Sequence, residues 1–263
     1  MTVAVGRTGT IPVPRSPQSG AARAASARPA PAHPAGDDVP SSCRAVAYQR
    51  VLHQVVRREW RLLGELATWA PAGEGERTAT LTRHADLIGR VLLHHHAVER
   101  EAVWPALLRA VPGDQAAAVR AALEDWTRRC ARIDHELRDV ATAARQWQVS
   151  GTAKARDAFA LACLDLAGAV DEQTAQEEAV LLPLLGEHLS AGDWAVIARS
   201  SRCRLSAREQ LFVLGLALED SSAADRARLL HGLSPAARLA WRLHGRQDYR
   251  AAVVRLRGEP PAP

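Results

Sequence analysis

From Arg44 to about Leu189, apolar residues recur at alternating three- and four-residue steps, the spacing that lines one face of an α-helix. The first run, Arg44 to Ala70, places Val46, Gln49, His53, Val56, Trp60, Leu63 and Ala67 on one seam and stops at Pro71-Ala72-Gly73, with Ser41 and Ser42 ahead of it as candidate caps. A second run starts near Arg77, carries His84, Ile88, Val91, His95, Val98 and Ala102, and ends before Pro112-Gly113. Asp114 stands where a cap for the third run belongs. That run's seam is Val119, Leu123, Trp126, Cys130, Ile133, Leu137, Val140 and Ala144, and Ser150-Gly151-Thr152 breaks it. The fourth seam is Phe159, Cys163, Leu166, Val170, Gln173, Glu177, Val180 and Leu184.

Four runs of roughly 25–35 residues with short connections predict an all-α fold, an up-down-up-down antiparallel four-helix bundle over residues 43–190. Shorter helices are expected at about Ala191–Arg199, Ala207–Leu218, Ala223–His231 and Ala236–Arg255, started by Ser206 and by Ser234-Pro235. They form a C-terminal helical extension, residues 191–263, that packs on the bundle and frays from Gly258. Residues 1–42, rich in Ala, Pro, Gly, Ser and Arg, read as a disordered tail.

Composition narrows the function classes. Two Phe and two Tyr in 263 residues favour helix over sheet. The net charge of +5 comes almost wholly from Arg, since Lys154 is the only lysine, and the Arg residues alternate with acids as solvated faces rather than a nucleic-acid stripe. Cys43, Cys130, Cys163 and Cys203 show no paired spacing, and no leader-like apolar core opens the chain, so a reduced, cytoplasmic protein is expected. No apolar run has the length of a membrane span. No nucleophile sits beside an obvious base and no Gly-rich phosphate loop follows a strand, so the sequence offers no catalytic constellation.

The chemistry concentrates in His94-His95-His96 and Glu99. Consecutive helical residues point about 100° apart, so three imidazoles cannot share a site, whereas His95 and Glu99, four apart, share a face. Burying such a pair on an apolar helix is costly unless something pairs it, and a metal ion is the usual partner. Counted from the turns, His53, His95, Cys130 and Gln173 lie about 17–23 residues along their helices, so antiparallel packing levels them. Glu177 or Glu178 from the fourth helix joins that level. Two histidines with one or two carboxylates suit non-haem iron or manganese better than zinc. His94 and His96 flank the seam and read as surface or outer residues, and His84 as structural.

Leu92-Leu93-His94-His95-His96-Ala97-Val98-Glu99 with Trp104-Pro105, and Glu177-Glu178 with Leu182-Pro183-Leu184, resemble the hemerythrin-like (HHE cation-binding) family over roughly residues 44–190. The resemblance implies a four-helix bundle with two irons and a small diatomic ligand. It assigns His53 and His95 to one iron, with Glu99 and Glu178 as bridging carboxylates. At the second iron the positions depart: Trp126 and Cys130 stand for helix-three histidines and Gln173 for one on helix four. Cys130, Asp134, Gln173 and Glu177 remain as second-site or supporting candidates. The expectation is therefore a mononuclear, non-haem iron protein that senses or handles O2, NO or peroxide, with no membrane or nucleic-acid partner. The alternative is a vestigial, metal-free bundle acting as a structural or interaction module.

Overall fold

The computed structural model describes residues 44–201 and 204–258. The expectations for the N-terminal tail, for Ser41 and Ser42 as caps, for Cys43 and Cys203, and for the last five residues fall outside these. Among the described residues every regular element is helical.

Helix α1 spans Arg44–Thr68, and all seven residues of its expected seam are buried. Helix α2, Gly75–Val98, runs into a π turn at Glu99–Val103 and then α3, Trp104–Ala110. The expectation was one continuous helix here. Pro105 explains the difference. It has no N–H to offer the carbonyl four residues back, and its ring would crowd that carbonyl in an α ladder. The ladder widens instead, with the Trp104 N–H bonded to the Glu99 carbonyl. One extra residue in the turn moves the buried face on, so Val103 is buried where Ala102 was expected.

Helices α4, Ala116–Ser150, and α5, Ala153–His188, are long and nearly unbroken. Asp114 does not cap α4; Gln115 precedes it in helical conformation with no side-chain cap. Thr152 caps α5, and Gly151, at φ 62°, takes the left-handed turn that ends α4. The Gly73 N–H bonds the Gly151 carbonyl at 2.9 Å, tying the α1–α2 and α4–α5 connections together. Helix α5 is central, packing on both α1 and α4, while α2 touches α1 and α4.

Ser206 and Ser234 cap short helices as expected, Ser190 and Ser222 cap two more, and the helix expected at about Ala236–Arg255 is interrupted by a π turn. The short helices are α6 Ala191–Ser200, α7 Ala207–Glu219, α8 Ala223–Gly232, α9 Pro235–Ala240 and, after the π turn at Trp241–Gly245, α10 Arg246–Arg257. Ser206 and Glu209 form a reciprocal capping box on α7. Helix α7 rests on α1, and α10 on α7 and α2.

The apolar interior is divided in two. One cluster holds Trp60, Leu63, Leu81, Ile88, Ile133, Trp147, Phe159 and Leu166 and extends under α7 and α10. The other holds Val46, Val103, Trp104, Leu107, Val119, Trp126, Leu181 and Leu185. Between them lies a buried polar layer: Gln49, His53, His95, His96, Glu99, Gln173, Thr174 and Glu177. No helix is long and apolar enough to cross a membrane among the described residues.

Candidate metal centre

Four side chains from three helical segments meet in the polar layer. His53 of α1, His95 of α2, Glu99 at the start of the π turn and Glu177 of α5 each bring a ligand-type atom within 4.8 Å of the others. His53 Nε2 lies 3.4 Å from Glu177 Oε1, and His95 Nε2 lies 3.4 Å from Glu99 Oε1. The imidazole centroids are 5.3 Å apart, edge to face. Metal bonds of 2.0–2.2 Å place neighbouring ligand atoms about 3 Å apart and opposed ones about 4.2 Å apart. The cluster is therefore slightly wider than a coordination shell and would contract onto an ion.

The unpartnered atoms point the same way. His53 Nε2, His95 Nε2, Glu99 Oε2 and Glu177 Oε1 are buried with no hydrogen-bond partner. Each such atom is expensive to leave unmatched, and four in one place is a donor set that fits a cation.

The four side chains are held by their neighbours. His53 Nδ1 bonds Glu178 Oε1 at 2.8 Å, which leaves Nε2 for the cluster. Arg57 Nη1 lies 3.1 Å from the same Glu178 oxygen, and its Nε donates to Thr174. Gln49 Nε2 donates to Glu99 Oε1 at 2.7 Å. Gln173 Nε2 and Trp126 Nε1 both donate to Glu177 Oε2, at 2.7 and 3.1 Å. Each carboxylate is thus pinned through one oxygen and free at the other.

Electrostatics follow from burial and crowding. Burial, then Glu177, pushes the Glu99 carboxyl well above its ordinary range. Burial opposes the charge on Glu177, but His53 outweighs it and holds this carboxyl below its usual value. Burial works against protonated His53 too, and Glu177 and Glu178 more than compensate, raising it. His95 is driven well below its ordinary value by burial and by His53. A dication among the four would displace the protons these shifts describe, because ligand imidazoles and carboxylates bind deprotonated.

The residues expected at the site divide clearly. His53, His95 and Glu99 come together, and the fourth member is Glu177, where the motif match had put Glu178. Adjacent helical residues face about 100° apart, so only one of the two can look inward; Glu178, half-buried, supports His53 from outside. Gln173 is buried and serves Glu177. Cys130 is buried, and burial followed by Glu99 and Glu177 raises its thiol. Asp134 is half-buried and outside the four.

His96, expected at the surface or just behind the ligands, is 1 % exposed with neither ring nitrogen partnered, which excludes the first alternative. It packs edge-on to Trp126 at 5.9 Å, and burial lowers it to about 4. Buried Leu92, four residues earlier, was the available signal for that inward face.

His84 belongs to a separate buried network. Its Nε2 bonds Glu59 Oε2 at 2.7 Å, while Arg58 and Arg257 donate to Glu59 Oε1 at 2.7 and 3.0 Å. Arg257 and Tyr249 of α10 also donate to Glu219, at 2.6 and 2.7 Å.

Among known families, the hemerythrin HHE cation binding domain matches residues 44–185. No curated protein and no solved structure is matched.

Proposed function

Because the chain belongs to the hemerythrin HHE cation-binding family, we propose that it holds a single non-haem iron on His53, His95, Glu99 and Glu177. In this reading α1, α2 with its π turn and α3, α4 and α5 are the rods of an up-down-up-down antiparallel bundle, with the C-terminal helices packed on it as an extension. The iron serves to sense or handle O2, NO or peroxide. The observation that carries the reading is the set of four buried, mutually close ligand side chains, each with one unpartnered atom.

The donors around Glu177 support one ion rather than two. A second metal on that side needs lone pairs. Trp126 and Gln173 present N–H groups to Glu177 Oε2 instead. The N–H groups do for that oxygen what a second cation would otherwise do.

Bound there, ferrous iron would supply open coordination positions for a small molecule and one-electron chemistry. The chain's own part is to hold the ligands. Glu178 with Arg57 fixes the His53 ring, Gln49 fixes Glu99, and Gln173 with Trp126 fixes Glu177. The two apolar clusters keep bulk water from above and below. The buried free thiols of Cys130 and Cys163 suit a reducing compartment, and we place the protein in the cytoplasm.

Elemental analysis of protein from iron-supplied cells tests the proposal. It should show about one iron per chain, lost in His95→Ala. Protein devoid of iron, with thermal stability unchanged by added ferrous ion, would instead favour a purely structural or interaction role.

A further inference from the structure

One side of the centre borders a cavity. It lies between α4 and α5, has a volume of about 30 Å³ and has Trp126, Gln173 and Glu177 in its wall, so it adjoins a member of the metal cluster. Ala122, Val180 and Leu181 complete an apolar passage. Outside it lies a wider groove of about 210 Å³ that shares Asp125 and Arg129 with the inner cavity. At this mouth three guanidinium groups share two carboxylates: Arg128 and Arg129 pair with Asp125, and Arg129 and Arg132 with Glu172.

We propose that this α4–α5 groove is the route by which neutral diatomic molecules reach the centre, and that Trp126 is the gate that sets the size limit. The proposal rests on the metal-site reading above.

Size decides the first part. About 30 Å³ accommodates a molecule near the size of water, whereas a six-membered ring needs on the order of 150 Å³. Charge decides the second. An anion would shed its water against Ala122, Val180 and Leu181 and then meet the like charge of Glu177, while a neutral molecule bears neither cost.

Trp126 suits a gate because it is fixed yet lightly latched. Its indole is 4 % exposed and packs edge-on against Trp104 at 5.7 Å and His96 at 5.9 Å, with the Arg100 guanidinium 6.0 Å from the ring. Its one hydrogen bond, 3.1 Å to Glu177, couples the gate to the cluster. A small swing of the ring opens the passage and releases that carboxylate oxygen together.

Two measurements test the route. In iron-free protein under xenon pressure, methyl signals of Ala122, Val180 and Leu181 should shift, and Val180→Trp, at a position already 37 % exposed, should abolish the shifts. In ferrous protein, stopped-flow NO association should slow at least tenfold in Val180→Trp at unchanged iron content. Ala122→Phe, from the facing wall, should act alike, and Trp126→Phe should speed association. Absent xenon shifts at these methyls, or an NO rate within twofold of wild type in both narrowing variants, overturns the route. A protein that takes up no iron defeats the metal reading, and the xenon arm still decides whether the passage exists.

Discussion

Glu59→Gln should destabilise the protein by about 3 kcal/mol at pH 7, although Glu59 lies outside the proposed iron site. The carboxylate is fully buried and receives His84, Arg58 and Arg257, the last from a helix 198 residues away. Burial alone would raise its pKa. His84 and the two guanidinium groups overcome that and bring it from 4.5 to about 2. A drop of that size is worth about 3 kcal/mol of folding free energy.

Because the folded carboxyl titrates below the unfolded one, this stabilisation is complete above roughly pH 4.5 and is lost as pH falls through about 2. Gln mimics the protonated acid, so the gap between wild type and variant should shrink to about half by pH 3. Urea unfolding of both proteins from pH 7 to pH 3 measures the gap, and thermal scans at pH 7 should show a loss of about 6–12 °C. A difference under 0.5 kcal/mol at pH 7, or one that stays constant with pH, would refute the view that the network anchors α10 through charge.

Further outcomes follow from single contacts. Glu177→Gln should abolish iron binding, whereas Glu178→Gln should weaken it roughly 10–100-fold by loosening His53; chelator competition separates the two. Gln49→Leu leaves Glu99 Oε1 without its donor and should weaken iron binding to a similar degree in the same assay. Gly215→Ala drives a methyl into the Tyr249 ring, so it should cost about 1–3 kcal/mol in urea unfolding and increase proteolysis of the C-terminal helices.

Local periodicity carried most of the helices because one spacing rule governs every buried face. On α1 it located Gln49 and His53 as inward polar residues among Val46, Val56, Trp60 and Leu63. On α5 the same seam passed through Gln173 and Glu177, which are the buried residues, while motif alignment favoured the neighbouring acid. One residue of register is all that separates the buried acid from its half-buried neighbour, and spacing counts to that precision only within an uninterrupted helix.

Where the ladder changed, the pattern failed. The π turn at Glu99–Val103 was written in Trp104-Pro105, yet a missing N–H can widen a helix or end it, and tertiary packing chooses between them. The Glu59–Arg257 pair was illegible for a different reason. Nothing local in either segment marks a partner across 198 residues, and a charged seam neighbour looks the same whether solvated or buried.

Diffraction at the iron absorption edge from crystals of the iron-loaded protein bears most directly on the centre. A single anomalous peak is expected, about 2.0–2.2 Å from the Nε2 atoms of His53 and His95 and from one oxygen each of Glu99 and Glu177. Two peaks bridged by Glu177, or one peak bound by Glu178 in its place, would contradict the assignment.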